Sequence, residues 1–403
     1  MNFSKMKMLP LFAKKTRTCG NNRKSVNKKW DAIFKLGLRM LYLGASPDQV
    51  WRGERNVLRF GFFPLLILLY SGFGLLIVVF PFIFESDFME SLENLYLGTY
   101  FVAAGFQWAY LQIHLDGIYE HRTKIESFNS TQAIPDVANS IARRNIKNFI
   151  KLFWVLVILW NVGIGLFTIK ITMKIITLLT GESDSSKVDS DSFQNSQSWR
   201  LTVDFMNAVM TLLSLPISLS LIIISRFLTL EVVTQCEIIR AAMALDTGKK
   251  VMFKGYILDH IRVIKNAKWL IKRLEAVNTA NTLLSYLMFA LNMFMLTLVE
   301  PALYTYGVLA LYFFIDFLQL AAQGWFSTSV KIALESLSDG SYETIWYERD
   351  RSNALDVLIV SQMAQQECIQ KVLFGSLRIE RATAISIVRS SYSFYTLLMV
   401  LQT

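Results

Sequence analysis

The side chains able to do chemistry are few and scattered. Cys19, Cys236 and Cys368 are the only thiols and form no closely spaced pair; His114, His121 and His260 are the only imidazoles. A zinc site needs several such ligands at short spacing, and a disulfide framework needs an even, regular set of cysteines. Neither is expected. No Gly-rich phosphate loop and no Gly-x-Ser-x-Gly elbow is present, so the sequence predicts no enzyme and no cofactor. Two charges stand out because apolar residues surround them: Asp316 and Arg389. A charge at the centre of a bilayer costs ~2.5 kcal/mol or more unless it pairs or snorkels. Arg389 lies near the inner end of its segment, where snorkelling or an inter-subunit pair is expected. Asp316, counted to the inner half of its segment, is expected to pair with a cation or face water.

The elements that carry these residues are membrane spans. Of the 403 residues, 53% are hydrophobic and 18% charged, against roughly 25% charged in soluble proteins. A span needs ~20 apolar residues at 1.5 Å rise. Seven segments qualify: about 60–84, 92–115, 149–172 (with a helical extension to 179), 201–225, 282–299, 304–326 and 383–401. Pro216 is expected to kink the fourth. Glu300-Pro301 makes a tight hairpin of the fifth and sixth, because proline ends one helix and opens the next.

Charge gives the orientation. Residues 1–59 hold 14 of the 41 Lys and Arg and three of the 31 Asp and Glu, a net charge of +11, while the rest of the chain carries −1. The successive loops hold no, five, three, ten, no and six basic residues. Basic loops stay cytoplasmic, so the alternation predicts the N-terminus inside and the C-terminus outside. The basic arm is too long for the n-region of a signal peptide, and a nucleic-acid partner is not expected for an arm tethered to a membrane. The sequons at Asn2 and Asn129 fall on cytoplasmic segments and are expected to stay unglycosylated. Loop 181–198 is rich in Ser and Asp and reads as a mobile outer loop.

The large inner loops carry helical periodicity. Ile257, Ile261, Ile264, Ala267, Ile271 and Leu274 share one face, as approximately do Leu355, Leu358, Ile359, Met363, Ile369 and Val372. They read as long helices packing together in the cytoplasm, or else as amphipathic helices on the inner leaflet. Thr247-Gly248 reads as the stop of a helix running out of the fourth span. The resulting organisation is a basic arm (1–59), spans 1–4 (60–225), a cytoplasmic helical extension (226–281), spans 5–6 (282–326), cytoplasmic anchor helices (327–382) and span 7 (383–403). The fold class is an all-α membrane protein with seven transmembrane helices. Seven spans alone do not make a G-protein-coupled receptor. The orientation is opposite, Asn-Pro-x-x-Tyr is absent, and Asp350-Arg351-Ser352 precedes span 7. No internal repeat supports the usual transporter architecture.

The run Ser391-Tyr392-Ser393-Phe394-Tyr395-Thr396-Leu397-Leu398 resembles the C-terminal signature of insect odorant receptors. The approach to it is similar as well: Trp325-Phe326, Ser329-Val330, Ala333, Tyr342, Trp346-Tyr347, then Phe374, Leu377 and Thr383. Tyr395-Thr396, five apolar residues and Gln402 are also close to the Thr-Tyr-x5-Gln-Phe element of gustatory receptors, with the first pair inverted and Thr403 in place of Phe. The motifs lie in the last ~80 residues, while the topology fits throughout.

The resemblance implies an odorant-gated non-selective cation channel subunit in the plasma membrane of sensory neurons. It implies a heterotetramer with a co-receptor, an anchor domain bearing most subunit contacts, a pore lined by the last helix, and a small volatile odorant bound among the outer halves of spans 2, 3, 4 and 6. The fourth loop is shorter than a co-receptor's, which points to a tuning subunit. A gustatory channel, a seven-helix transporter and a metabotropic receptor are the alternatives. Given the orientation, the outer halves select Tyr96, Tyr100, Phe101, Asn161, Gly165, Thr168, Met206, Met210, Tyr304 and Tyr306 as ligand-binding residues. Aromatics, Met and a few polar groups suit a small apolar ligand. At helical spacing Tyr395, Met399 and Gln402 form one stripe, with Val388, Ser391 and Tyr392 below. They are the pore and gate candidates, since apolar rings close by dewetting. Membrane lipid is the remaining partner.

Overall fold

A computed structural model describes residues 30–38, 63–84, 88–126, 135–180, 190–245, 253–298, 303–344, 351–365, 368–369, 371–372 and 375–402. Nearly all of them are helical. After a short helix over 30–38 (α1) come α2 (Phe63–Phe84), α3 (Phe88–Glu126), α4 (Pro135–Thr180), α5 (Ser190–Ala244), α6 (Phe253–Leu298), α7 (Leu303–Tyr342), α8 (Arg351–Ala364) and α9 (Arg381–Gln402). The described residues of each of the seven apolar segments lie within one of α2–α7 or α9. The chain is an all-α membrane protein.

Helix length explains where the core sits. α2 and α9 have 22 residues each, about 33 Å at 1.5 Å per residue, which matches one crossing. α3 to α7 have 39, 46, 55, 46 and 40 residues, so each continues well past its apolar segment. The continuations gather at the end of the bundle that the sequence reads as cytoplasmic. There Leu115 and Ile118 of α3, Phe149 of α4, Phe227 and Val232 of α5, Val263 and Leu270 of α6, and Leu334 of α7 form the largest apolar cluster. Ile264, Ala267 and Leu274 are in it and Ile257 and Ile271 border it, so the α6 face read from the sequence is the packed one.

Helix α1 is built into this core. Trp30 meets Phe227 at 4.9 Å between ring centroids, and the Arg122 guanidinium lies 4.4 Å over the Phe34 ring. A Cβ on Gly37 would stand 2.9 Å from Ile223. Part of the basic arm is thus a packed element.

At the other end, α2 and α3 run along one another on glycine. A Cβ at Gly98 would lie 2.7 Å from the Gly74 carbonyl oxygen and from Val78. Small residues permit this backbone approach.

Three expectations change. Residues 190–198 are the first turns of α5 rather than loop; a Ser/Asp run also suits a helix start, where side-chain oxygens cap backbone N–H groups. In α8, Val357, Val360, Ser361 and Ala364 face inward while Leu355, Leu358 and Ile359 are exposed. That helix is apolar on both sides, so periodicity could not choose; the hydrogen bond between the Ser338 and Ser361 hydroxyls, 2.9 Å, marks the packed side. Finally, the segment before the last span contains an antiparallel pair, β1 (Lys371–Val372) and β2 (Leu377–Arg378), which the helical reading missed. Gly375 turns it at φ +86°, a conformation open to glycine.

The base of α9 is fixed by several contacts. Thr383 at the third helical position accepts from the Glu380 N–H at 2.7 Å, half of a capping box, and its hydroxyl donates to the Arg378 carbonyl at 2.8 Å. The Arg381 N–H donates to Thr328 at 3.1 Å, and its guanidinium lies 4.1 Å over Trp325. The Glu380 carbonyl packs so closely on Gly324 that no Cβ fits there.

Candidate ligand site and pore helix

Two apolar clusters occupy the half of the bundle that the sequence reads as outer. In the first, Tyr70 and Ile77 of α2, Phe101 and Ala104 of α3 and Met210 of α5 are buried together, with Tyr100, Phe73, Leu97 and Leu213 at the edge. The Tyr70 and Phe101 rings meet edge to face at 5.6 Å. Three of the ligand candidates, Tyr100, Phe101 and Met210, therefore converge; Met206 is half-buried one turn earlier on α5.

Tyr96 belongs to the second cluster, with Leu92 and Leu95 of α3, Leu291, Phe294 and Met295 of α6, Leu309 of α7 and Tyr395 of α9. Its ring stacks on Tyr312 at 5.9 Å and 18°. Its hydroxyl donates to Asp316 Oδ2 at 3.2 Å. Asp316 thus pairs with a phenol, not with a cation among the described residues, and Tyr96, counted to the outer part of α3, meets Asp316, counted to the inner half of α7. Counting from segment ends ignores helix tilt and offset. Asn292 of α6 is wholly buried beside them. Sequence reasoning overlooked Tyr312 and Asn292; an amide in the middle of an apolar segment was the available signal. A further buried amide pair, Asn207 to Asn94 at 3.5 Å, ties α5 to α3.

The α4 candidates do not join either cluster. Asn161 is exposed and its amide donates to the Val157 carbonyl of its own helix at 2.7 Å. Gly165 is exposed with open space around it. The side chains of Thr168, Tyr304, Tyr306, Met399 and Gln402 fall outside the described residues, though all five positions are helical.

α9 has two faces. Ala384 and Ile387 are buried among Phe289 of α6 and Leu320 of α7, with Val388 at the border. Ser391 donates to the Tyr286 carbonyl at 3.3 Å. Tyr395 continues this face into the second cluster. Tyr392, Ser393, Thr396, Leu397 and Val400 are exposed, as is Arg389, which suits a side chain that reaches water. Among the described residues no group of His, Cys, Asp and Glu could hold a metal.

Residues 87–392 match the family model described as 7tm Odorant receptor. No curated protein sequence matches the chain. Among solved structures, the fold is similar to that of the insect olfactory receptor OR5 from Machilis hrabei. The TM-score is 0.74 at 12% identity, over 94% of this chain and 99% of that one. The same receptor in complex with eugenol matches with a TM-score of 0.74 at 13% identity, over 94% and 100% of the two chains.

Proposed function

The chain belongs to the 7tm odorant receptor family, and from that premise we propose that it is an odorant-gated cation channel subunit whose ligand sits in the outer half of the bundle. The observation that carries this reading is the convergence of Tyr100, Phe101 and Met210 with Tyr70 into one buried aromatic and thioether cluster. Such a lining suits a small apolar volatile with one or two polar groups, since aromatic faces supply area and Met adapts its shape. The similar receptor from Machilis hrabei was determined with eugenol, a ligand of that kind.

The pore is assigned to α9. Its inner-facing side packs on α6 and α7 of its own chain, which leaves Tyr392, Thr396 and Val400 open to other subunits or to a central axis. Met399 and Gln402, near the chain end, form the gate, whereas Tyr395, the third member of their stripe, packs against its own chain and is not assigned to it. The exposed Leu355, Leu358 and Ile359 of α8 supply an apolar contact surface for the anchor of a neighbouring subunit, either a co-receptor in a heterotetramer or a second copy. The basic arm and basic loops place the N-terminus in the cytoplasm, in the plasma membrane of a sensory neuron with lipid around the outer helices.

The test is whole-cell recording from cells expressing the chain with and without a co-receptor, using a panel of volatiles. An odorant-evoked current is expected, and substitution of Met399 or Gln402 is expected to change its ion permeability ratio. Silence to every volatile defeats the reading. An epitope at the N-terminus that is accessible on intact cells defeats the orientation.

A further inference from the structure

Among the described residues two arginines are buried, and one of them lacks a counter-charge. Arg122 reaches the carboxylates of Asp31 and Glu231. Arg226 of α5 is 4% exposed. Its Nη1 is enclosed without a hydrogen-bond partner, and it makes no ion pair with a described residue. What faces it is the Phe326 ring of α7, 5.8 Å from the guanidinium carbon. A cation–π contact offsets only part of the cost of taking a guanidinium out of water, and arginine does not shed its proton. Its N–H fork calls for an anion.

Depth says which anion. Arg226 follows directly on the fourth apolar segment (201–225) and Phe326 ends the sixth. Phe149, which meets Phe326 at 6.4 Å between ring centroids, opens the third. Three segment ends thus coincide at the guanidinium, at the end of the bundle that the sequence reads as cytoplasmic. That is the level of lipid headgroups. Neighbours of both rings reach the surface, Trp325 on α7 and Ile150 and Leu152 on α4, so the guanidinium lies about one side chain deep. The approach to it is basic. Residues 141–153 of α4 carry Arg143, Arg144, Lys147 and Lys151 and no acid, and the Arg381 guanidinium lies 4.1 Å over Trp325.

We propose that Arg226 is a phosphate site, filled by the headgroup of an anionic phospholipid of the inner leaflet that enters between α4 and α7. The site lies apart from the ligand cluster and the gate, and it does not depend on channel activity. The planar guanidinium matches two phosphate oxygens at once. The exposed Lys147 and Lys151 draw the headgroup to the surface, and Arg226 fixes it. The acyl chains then run along the exposed Trp154 and Ile158 of α4. With its phosphate in place, the lipid ties α4, α5 and α7 together where the apolar segments end.

The test is thermal melting of the full chain, purified in neutral detergent and stripped of lipid. Without lipid, Arg226→Met is expected to melt no lower than wild type, because it removes a buried charge that nothing pairs. Phosphatidic acid in the micelles is expected to raise the melting temperature of wild type and to leave the variant unmoved. Titration with the same lipid is expected to show about ten- to hundredfold weaker binding to the variant. Phosphatidylcholine, whose phosphate is balanced by its own cation, is expected to move neither protein. A variant that melts lower than wild type without lipid makes Arg226 a packing residue and overturns the inference. So does the absence of a shift in wild type, or an equal shift in both proteins. A shift that survives Arg226→Met but is lost on combining Lys147→Gln with Lys151→Gln marks general attraction to the basic surface, and also overturns it. Inorganic phosphate that reproduces the shift at the same concentration moves the site to a soluble anion and overturns the lipid assignment. Where Arg226→Met is not obtained, Arg226→Lys decides. A point charge without the fork is expected to bind phosphatidic acid about tenfold more weakly, and an unchanged affinity overturns the inference.

Discussion

Arg122 of α3 and Asp31 of α1 meet at 3.1 Å, and the same guanidinium stands 3.6 Å from Glu231 of α5. Arg122 is 3% exposed and Glu231 7%. The cation therefore holds three helices where the basic arm enters the core. Removing it takes the nearby positive charge away from the buried Glu231. Arg122→Met is expected to cost about 3 kcal/mol, read as a lower melting temperature in size-exclusion chromatography, and Arg122→Met with Glu231→Gln is expected to recover part of it. Asp31 adds a pH term. Burial alone would raise its carboxyl, but hydrogen bonds and charge from Lys35 and Arg122 outweigh that and lower it below 3.8. Its contribution is complete above that value and disappears as pH falls through the folded one.

His260 gives the opposite kind of group. It is fully buried in the inner core, neither ring nitrogen has a partner among the described residues, and burial pushes its pKa from 6.5 to about 4. Between those values the unfolded chain binds a proton that the folded chain refuses, so stability rises with pH across the window. The slope is on the order of 1.4 kcal/mol per pH unit. His260→Leu is expected to remove it. The check is the difference in melting temperature between wild type and variant from about pH 5 to about pH 7; a constant difference refutes the assignment.

The Gly74–Gly98 crossing predicts a sharp contrast. Gly98→Val would press side-chain atoms into the Gly74 carbonyl and Val78, at a cost of about 1–3 kcal/mol or a displaced α2. Gly72→Ala meets nothing within 4 Å and is expected to be neutral or stabilising by up to about 1 kcal/mol. Surface expression and thermal stability of the two variants check this.

In the proposed ligand site, Met210 is expected to set the size of the ligand accepted. Met210→Ala removes a 6% exposed side chain packed near Phe101. In a homologous series of volatile alcohols, the preferred chain is expected to lengthen by one or two carbons, with about tenfold changes in relative potency. An unchanged series would remove Met210 from the ligand site.

Apolar length made the helices legible: a run such as 60–84 can hardly be anything but α2. The face of α6 was legible because Ile264, Ala267 and Leu274 repeat at helical spacing between exposed lysines. The face of α8 was not, because Leu355, Val357, Leu358 and Val360 surround the helix and a serine pair decides which side packs. The β-hairpin was hidden by its size, two residues per strand about Gly375. In the proposed ligand site, Phe101 and Met210, chosen from expected depth and side-chain type, are packed in one cluster. The partner of Asp316 could not, since depth along α7 depends on how that helix leans against α3, and no local pattern encodes it.

The seat of α9 on Gly324 fixes the foot of that helix. Its foot is held by Thr383, Thr328 and the stacked Arg381–Trp325 pair, whereas Val400 near the tip is 70% exposed. Leverage follows. Over about 33 Å, a lean of only about 5° at the foot sweeps the tip sideways by about 3 Å, the width of a water molecule.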